Sequence, residues 1–298
     1  MSGADWLRLV TLSVLWGGSF FFVGVAVPHL PPFTIVLARV GLGALGLAAM
    51  LAVLRIPVPR GRAVWGALAV MGVLNNIIPF TLFVLAQGQI SSGLASILNA
   101  TTPLWGVLVA HVFTRDERLT PARVVGVLTG FVGVAVMMGA SLGDGTVWAQ
   151  AACLAAALSY GFAGVWGRRF KRMGISPLAT GFGQTAVASL VLLPLVALID
   201  QPWTLPQPGP EVIAALIGLA LLSTTIAYGL YFGLIASAGA VNAFLVTFLI
   251  PVSATALGVA FLGEALLPRH LAGMALIALG LSVIDGRLWR RLSGAHRS

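Results

Sequence analysis

The sequence predicts an all-α integral membrane protein, with ten transmembrane helices arranged as two inverted five-helix repeats around a central cavity. Three observations carry that expectation. Hydrophobic residues fill 59% of the 298 positions and charged residues 8%, and apolar runs of about 20 residues, enough to cross a hydrocarbon core, recur along the whole chain. A pattern running from Ser92 to Gly139 returns from Ala240 to Gly286: Pro103 answers to Pro251, Glu117 to Glu264, Pro121 to Pro268, Gly126 to Gly273 and Gly133 to Gly280. Lysine and arginine, finally, collect in alternate connections. A unit with an odd number of spans enters the bilayer from opposite sides in its two copies, which is the plan of secondary transporters whose halves rock about a site near the midplane.

The spans read, in order, Trp6–Ala26, Phe33–Leu54, Ala63–Leu85, Ser92–Phe113, Pro121–Gly139, Val147–Gly167, Pro177–Ile199, Glu211–Ile235, Ala240–Leu262 and Pro268–Arg287. Residues 1–141 form the first repeat and 142–298 the second. The connections are too short for a separate folded domain, so the chain is one membrane bundle. Of the 17 Lys and Arg, Arg39 lies inside a span and Arg269 between spans nine and ten. The others sit at the N-terminus, after even-numbered spans (Arg55, Arg60 and Arg62; Arg115, Arg118 and Arg123; Arg168, Arg169, Lys171 and Arg172) and at the C-terminus. The positive-inside rule then puts both termini in the cytoplasm. The formal charge of +9 orients the protein. It is not a nucleic-acid footprint, because no basic stripe with interleaved aromatics accompanies it. Span one is too long for the apolar region of a cleavable signal and lacks a small-x-small site. Cys153, the one cysteine, reads as a small buried residue.

Helical spacing selects candidate cavity residues. Span one offers Ser13, Trp16 and Phe20 on one side. In span three, Asn76, Phe80, Phe83 and Gln87 fall on one face, and in span eight Thr224, Tyr228, Tyr231 and Ile235 repeat that spacing. Span four adds Asn99 and Thr102, span six Ser159 and Trp166, and span nine Asn242 and Thr247. Polar side chains also bond across membrane helices for packing alone, and tryptophans near the surface (Trp6, Trp65, Trp148, Trp203, Trp289) read as interfacial anchors. Trp105 lies deeper. Pro103 and Pro251 interrupt matched helices near mid-membrane, where each frees a carbonyl and bends its helix. They are candidate hinges.

The remaining spans align too: Leu15–Gly24 overlays Leu158–Gly167, Pro32–Leu45 overlays Pro177–Leu190 with Arg39 opposite Gln184, and Asn76–Gln87 overlays Thr224–Ile235. The Leu15-Trp16-Gly17-Gly18-Ser19 run, the arginine of span two in LARVGLGAL, the Pro103…Asp116-Glu117-Arg118-Leu119-Thr120…Gly126 stretch and its echo Pro251…Gly263-Glu264-Ala265-Leu266 resemble the drug/metabolite transporter (DMT) superfamily. Within it the chain resembles the ten-span EamA branch, and in that branch most of all the YddG-type amino-acid exporters. The resemblance implies a basket of ten helices around a cavity lined mainly by spans one, three, four, six, eight and nine, with five and ten outside. It also implies that Arg39, in a span outside the lining, is structural: about 9 Å down from the outer surface at 1.5 Å per residue, it would snorkel outward or hold neighbouring carbonyls. Glu117 and Glu264 are expected to cap the starts of spans five and ten.

Absences narrow the chemistry. No Asp or Glu falls mid-span, and ion coupling generally uses an intramembrane carboxylate, so passive, substrate-driven export is expected from a protein of the cytoplasmic (inner) membrane. A carrier of lipophilic cations would keep a buried acid, and a carrier of phosphorylated sugars or nucleotides would want more than Arg39. Amides, hydroxyls and rings suit a neutral or zwitterionic molecule with an apolar side chain, hence apolar and aromatic amino acids. The alternative is a DMT-type exporter of another small neutral or zwitterionic metabolite or drug. With four histidines and no histidine–carboxylate cluster, an intramembrane enzyme is not expected, nor is a metal site or any cofactor. The expected partners are the amino-acid substrate and the lipid bilayer. The oligomeric state is not set by the sequence, and a monomer suffices for this plan.

Overall fold

A computed structural model describes residues 2–114, 120–138, 146–239, 243 and 245–285. Its regular elements are helical because apolar side chains in lipid can leave no backbone donor or acceptor unpaired. In chain order they are α1 (Gly3–Ala26), α2 (Pro32–Val53), α3 (Arg62–Gln87), α4 (Ser92–Phe113), α5 (Pro121–Met138), α6 (Val147–Arg172), α7 (Pro177–Leu195, continued by a wide turn over Val196–Asp200), α8 (Pro210–Ala238), α9 (Val246–Leu262) and α10 (Pro268–Asp285). Seven of these are long and apolar enough to cross a membrane, and α5, α9 and α10 are shorter apolar helices. The chain is a multi-pass membrane protein.

Local chemistry fixes several boundaries. Ser2 and Asp5 form a capping box that opens α1. Ser91 and Ser176 accept backbone N–H groups at the starts of α4 and α7. α9 closes on Gly263, whose φ of 65° is the left-handed conformation only glycine adopts without strain. That turn delivers Glu264 to the start of α4: its carboxylate accepts the Ser92 amide (2.7 Å), the Ser92 hydroxyl (2.9 Å) and the Gly93 amide (3.1 Å). Glu264 therefore caps α4, across the bundle, and not the start of span ten as the sequence suggested. Glu117 lies outside the described residues.

The helix pairings are reciprocal. α1 packs on α8 and α9, α6 on α3 and α4, α2 on α7 and α8, α7 also on α3, α4 on α9, and α5 on α10. Where two helices come closest, glycine makes room. A Cβ on Gly133 would lie 2.7 Å from the Gly273 carbonyl, and one on Gly126 2.5 Å from that of Gly280, so α5 and α10 touch backbone to backbone. Gly17 meets Ala254 of α9, and Gly161 meets Trp105 and Gly106 of α4, in the same way. Fully buried leucines such as Leu9, Leu12, Leu47, Leu68, Leu98 and Leu104 fill the interior, while Leu45, Leu128, Leu190, Leu198 and Phe261 point outward, the apolar exterior of a protein bathed in lipid.

Besides the wide turn that closes α7, three helices depart from regular α geometry. α3 widens over Val73–Ile77, where the Ile78 amide bonds the carbonyl five residues back. α8 widens over Gly218–Ile226, where the hydroxyls of Thr224 and Thr225 reach the carbonyls of Leu219 and Ala220 at 3.1 and 3.2 Å. The sequence overlay equates these two segments. α4 breaks between Asn99 and Thr102, and Pro103 lies in the first turn of its second half. Pro251, its counterpart, lies inside an unbroken α9. The two prolines expected as equivalent hinges thus occupy different local structures.

Candidate substrate cavity

A central cavity of about 890 Å³ is walled by α1, α2, α3, α4, α6, α7, α8 and α9. α5 and α10 stand outside it, as expected, but α2 and α7 contribute Arg39, Thr180, Gly181 and Gln184 where the sequence reading left them out. The cavity reaches the surface at the α6–α7 connection, where Lys171, Gly174 and Pro177 are exposed. At the opposite end it stops against buried Val23, Val84 and Gln87.

Aromatic rings cluster on the wall. Trp16 tilts against Tyr231 with centroids 5.0 Å apart, Phe20 meets the edge of Phe83 at 5.5 Å, and Phe83 stacks with Tyr160 at 6.3 Å. A polar line crosses it: Asn75 donates to the Gln184 side-chain oxygen and Gln184 donates to the Tyr228 hydroxyl, each at 3.2 Å. The Arg39 guanidinium carbon lies over Phe80, 3.6 Å from the ring centre, and its Nε donates to the Thr224 hydroxyl at 3.3 Å. Among the described residues no carboxylate lines the cavity.

Of the residues selected from sequence, Trp16, Phe20, Phe80, Phe83, Asn99, Thr102, Tyr228, Tyr231 and Thr247 are on this wall, and Gln87 and Ile235 with them. Asn76, Ser159, Trp166 and Thr224 are not. Asn76 is 0% exposed and sits behind the wall with its side chain against the Tyr228 phenol, while its neighbour Asn75 lines the cavity. The reason is the wide turn of α3: its bond from residue 78 back to residue 73 takes in one residue more than an α turn and brings Asn75, not Asn76, onto the face of Phe80. Thr224 lies in the corresponding turn of α8 and packs on α2, where Gly43 leaves it room. Ser159 donates to the Leu74 carbonyl at 2.7 Å and Trp166 to the Ala67 carbonyl at 3.0 Å, so both bind α6 to α3. Arg169 covers the Trp166 ring. Trp105 packs edge-on against Phe131 of α5. Asn242 lies outside the described residues. Neither Pro103 nor Pro251 lines the cavity; the Asn99 carbonyl that Pro103 leaves without an amide accepts the Thr102 hydroxyl at 2.7 Å, and Pro251 borders a separate void of about 20 Å³ under α10.

Sequence reasoning missed Arg39, Asn75, Tyr160 and Gln184. One signal was available for two of them, since the overlay set Arg39 opposite Gln184. Tyr160 was hidden by a one-residue slip. The glycine contacts equate Gly17 with Gly161, which sets Trp16 against Tyr160, Ser19 against Ala163 and Phe20 against Gly164, all of them wall residues. The pairs Phe80 and Tyr228, Phe83 and Tyr231, Val84 and Phe232, and Asn99 and Thr247 are likewise both on the wall.

A multi-pass helical chain enclosing one polar–aromatic cavity has the form of a membrane carrier. The EamA-like transporter family model matches it twice, over residues 6–139 and 147–284. The chain belongs to that family, whose members are transporters and not enzymes. It is 21% identical to the uncharacterized transporter YoaV of Bacillus subtilis over 92% of this chain and 94% of that one. It is 25% identical to the uncharacterized inner membrane transporter YedA of Escherichia coli K12, over 87% and 83%. A probable amino-acid metabolite efflux pump of Salmonella typhimurium is 27% identical over 95% of both. A crystal structure of a protein 22% identical to this one shares its fold, with a TM-score of 0.68 over the full length of both chains.

Proposed function

We propose that this protein exports amino acids, apolar and aromatic ones foremost, across the cytoplasmic membrane by alternating access and without ion coupling. One observation carries the reading: residues equated by the internal repeat line a single cavity, so both halves of the chain contribute to the same site. Ten spans in two inverted repeats, divided near residue 141, give such a wall. The reciprocal helix pairings and the crossed glycine contacts support the division, because Gly126 meets Gly280 while Gly133 meets Gly273, the counterparts of each other's partners. The intact α9 beside the broken α4 supports exchange of shape between copies, with Pro103 and Pro251 marking where each bends.

Both termini lie in the cytoplasm on this reading, and the cavity mouth, on the face that carries Lys171, opens inward. Rings of Trp16, Phe20, Phe83 and Tyr231 suit an apolar side chain, and Asn99, Thr102 and Thr247 offer polar contacts. The name of the Salmonella typhimurium relative agrees with an amino-acid cargo. That no acid lines the wall among the described residues supports passive transport. The test is efflux of one labelled amino acid from proteoliposomes against a panel of unlabelled ones. Apolar and aromatic members compete, and an imposed pH gradient drives no accumulation. Failure of every amino acid to compete, or concentration of substrate by the pH gradient, would overturn the corresponding half of the proposal.

A further inference from the structure

We infer that Arg39 anchors an anionic group of the cargo, so that a free carboxylate is a requirement for transport and not merely tolerated. The inference rests on the cavity being the transport site. A guanidinium in a membrane helix is costly unless it is paired or faces a water-filled space, and such residues mark transport pathways. Arg39 has no acidic partner among the described residues, where the one ion pair is Arg8 with Asp5. It holds no backbone carbonyl, the bond that a structural arginine would make; its described hydrogen bond is from Nε to Thr224.

Its posture fits recognition. With its central carbon 3.6 Å from the Phe80 ring centre, the guanidinium still has its terminal nitrogens for ligands, and a guanidinium matches a carboxylate with two parallel N–H donors. Nε is occupied, and the terminal nitrogens carry no hydrogen bond among the described residues. The Tyr160 and Tyr228 phenols lie within electrostatic range, and the Gln184 amide is on the same wall. Among the described residues no carboxylate on that wall neutralises the charge, so the cavity attracts anions from its mouth inward and repels cations. A zwitterion enters with its carboxylate toward Arg39 and its ammonium toward the rings.

The test compares three probes that share one side chain: phenylalanine, its carboxamide and phenylacetate. Binding is read as thermal stabilisation of the detergent-solubilised protein, and transport as proteoliposome flux, in the wild type, Arg39→Gln and Arg39→Lys. The wild type binds phenylalanine and phenylacetate and takes the carboxamide at least about tenfold more weakly. Arg39→Gln loses roughly 10- to 100-fold in affinity for both carboxylates and changes little toward the carboxamide, and Arg39→Lys recovers part of the loss. Equal weakening of all three probes, or carboxylate binding unchanged in Arg39→Gln, overturns the inference. Arg39-dependent binding of phenylacetate with no binding of phenylalanine would sink the amino-acid reading and leave the anion site standing.

Discussion

Single side chains do two kinds of work here, and they separate by what they touch. Gln184 holds Asn75 and Tyr228 together on the cavity wall, so Gln184→Ala removes two neutral bonds worth ~0.5–1.5 kcal/mol each. The expected result is a KM raised several-fold together with a modestly lowered melting temperature, measured by flux and by thermal denaturation. Glu264 touches no cavity residue and instead satisfies three donors at the start of α4. Glu264→Ala should cost ~1–3 kcal/mol of stability, visible as a lower melting temperature in detergent. At this scale sequence reasoning found the aromatic wall, because rings recur at helical spacing along α3 and α8. It misread Arg39 because a lone intramembrane charge has two physical outlets, lipid headgroups or a wet cavity, and only the tertiary packing of α2 beside Phe80 and Thr224 decides between them.

For helices, hydropathy told most of the story. The expected spans and the observed helices agree to within a few residues at most ends, since a run of apolar residues in lipid has one way to satisfy its backbone. What hydropathy could not convey was phase. A regular helix advances 100° per residue, and the wide turn of α3 resets that count, which is why Asn75 took the place expected for Asn76. The wide turn holds one residue more than an α turn, so deleting Ile77 should restore regular phase, with Asn75 still on the face of Phe80 and the segment before it unrotated. That variant is expected to keep flux, whereas deleting one residue within 64–70 should rotate the start of α3 by about 100° and abolish it; loss of flux on deleting Ile77 would refute this account of the turn. The break in α4 was also illegible, since Pro103 and Pro251 look alike in sequence while one begins a helix half and the other sits inside a continuous helix.

Across the whole molecule, the repeat was the most readable feature and its details the least. Gly126, Gly133, Gly273 and Gly280 stood out as matched positions, but that they cross-pair α5 with α10 is a fact of packing. Gly133→Leu should push those backbones apart, with an overpacking cost of ~1–3 kcal/mol, and is read as loss of folded protein after detergent extraction. Substitution at exposed Gly66, which has open space beside it, is the control.

Cys153 has a practical consequence. It is the chain's one cysteine, and it is buried at 0% exposure, so maleimide reagents find no native sulfhydryl at the surface. Spin or fluorescent labels introduced in pairs can therefore report on an otherwise wild-type background. A pair spanning the mouth, at Lys171 and Ile235, should show two distance populations whose ratio responds to cargo, while a pair on α5 and α10 should show one.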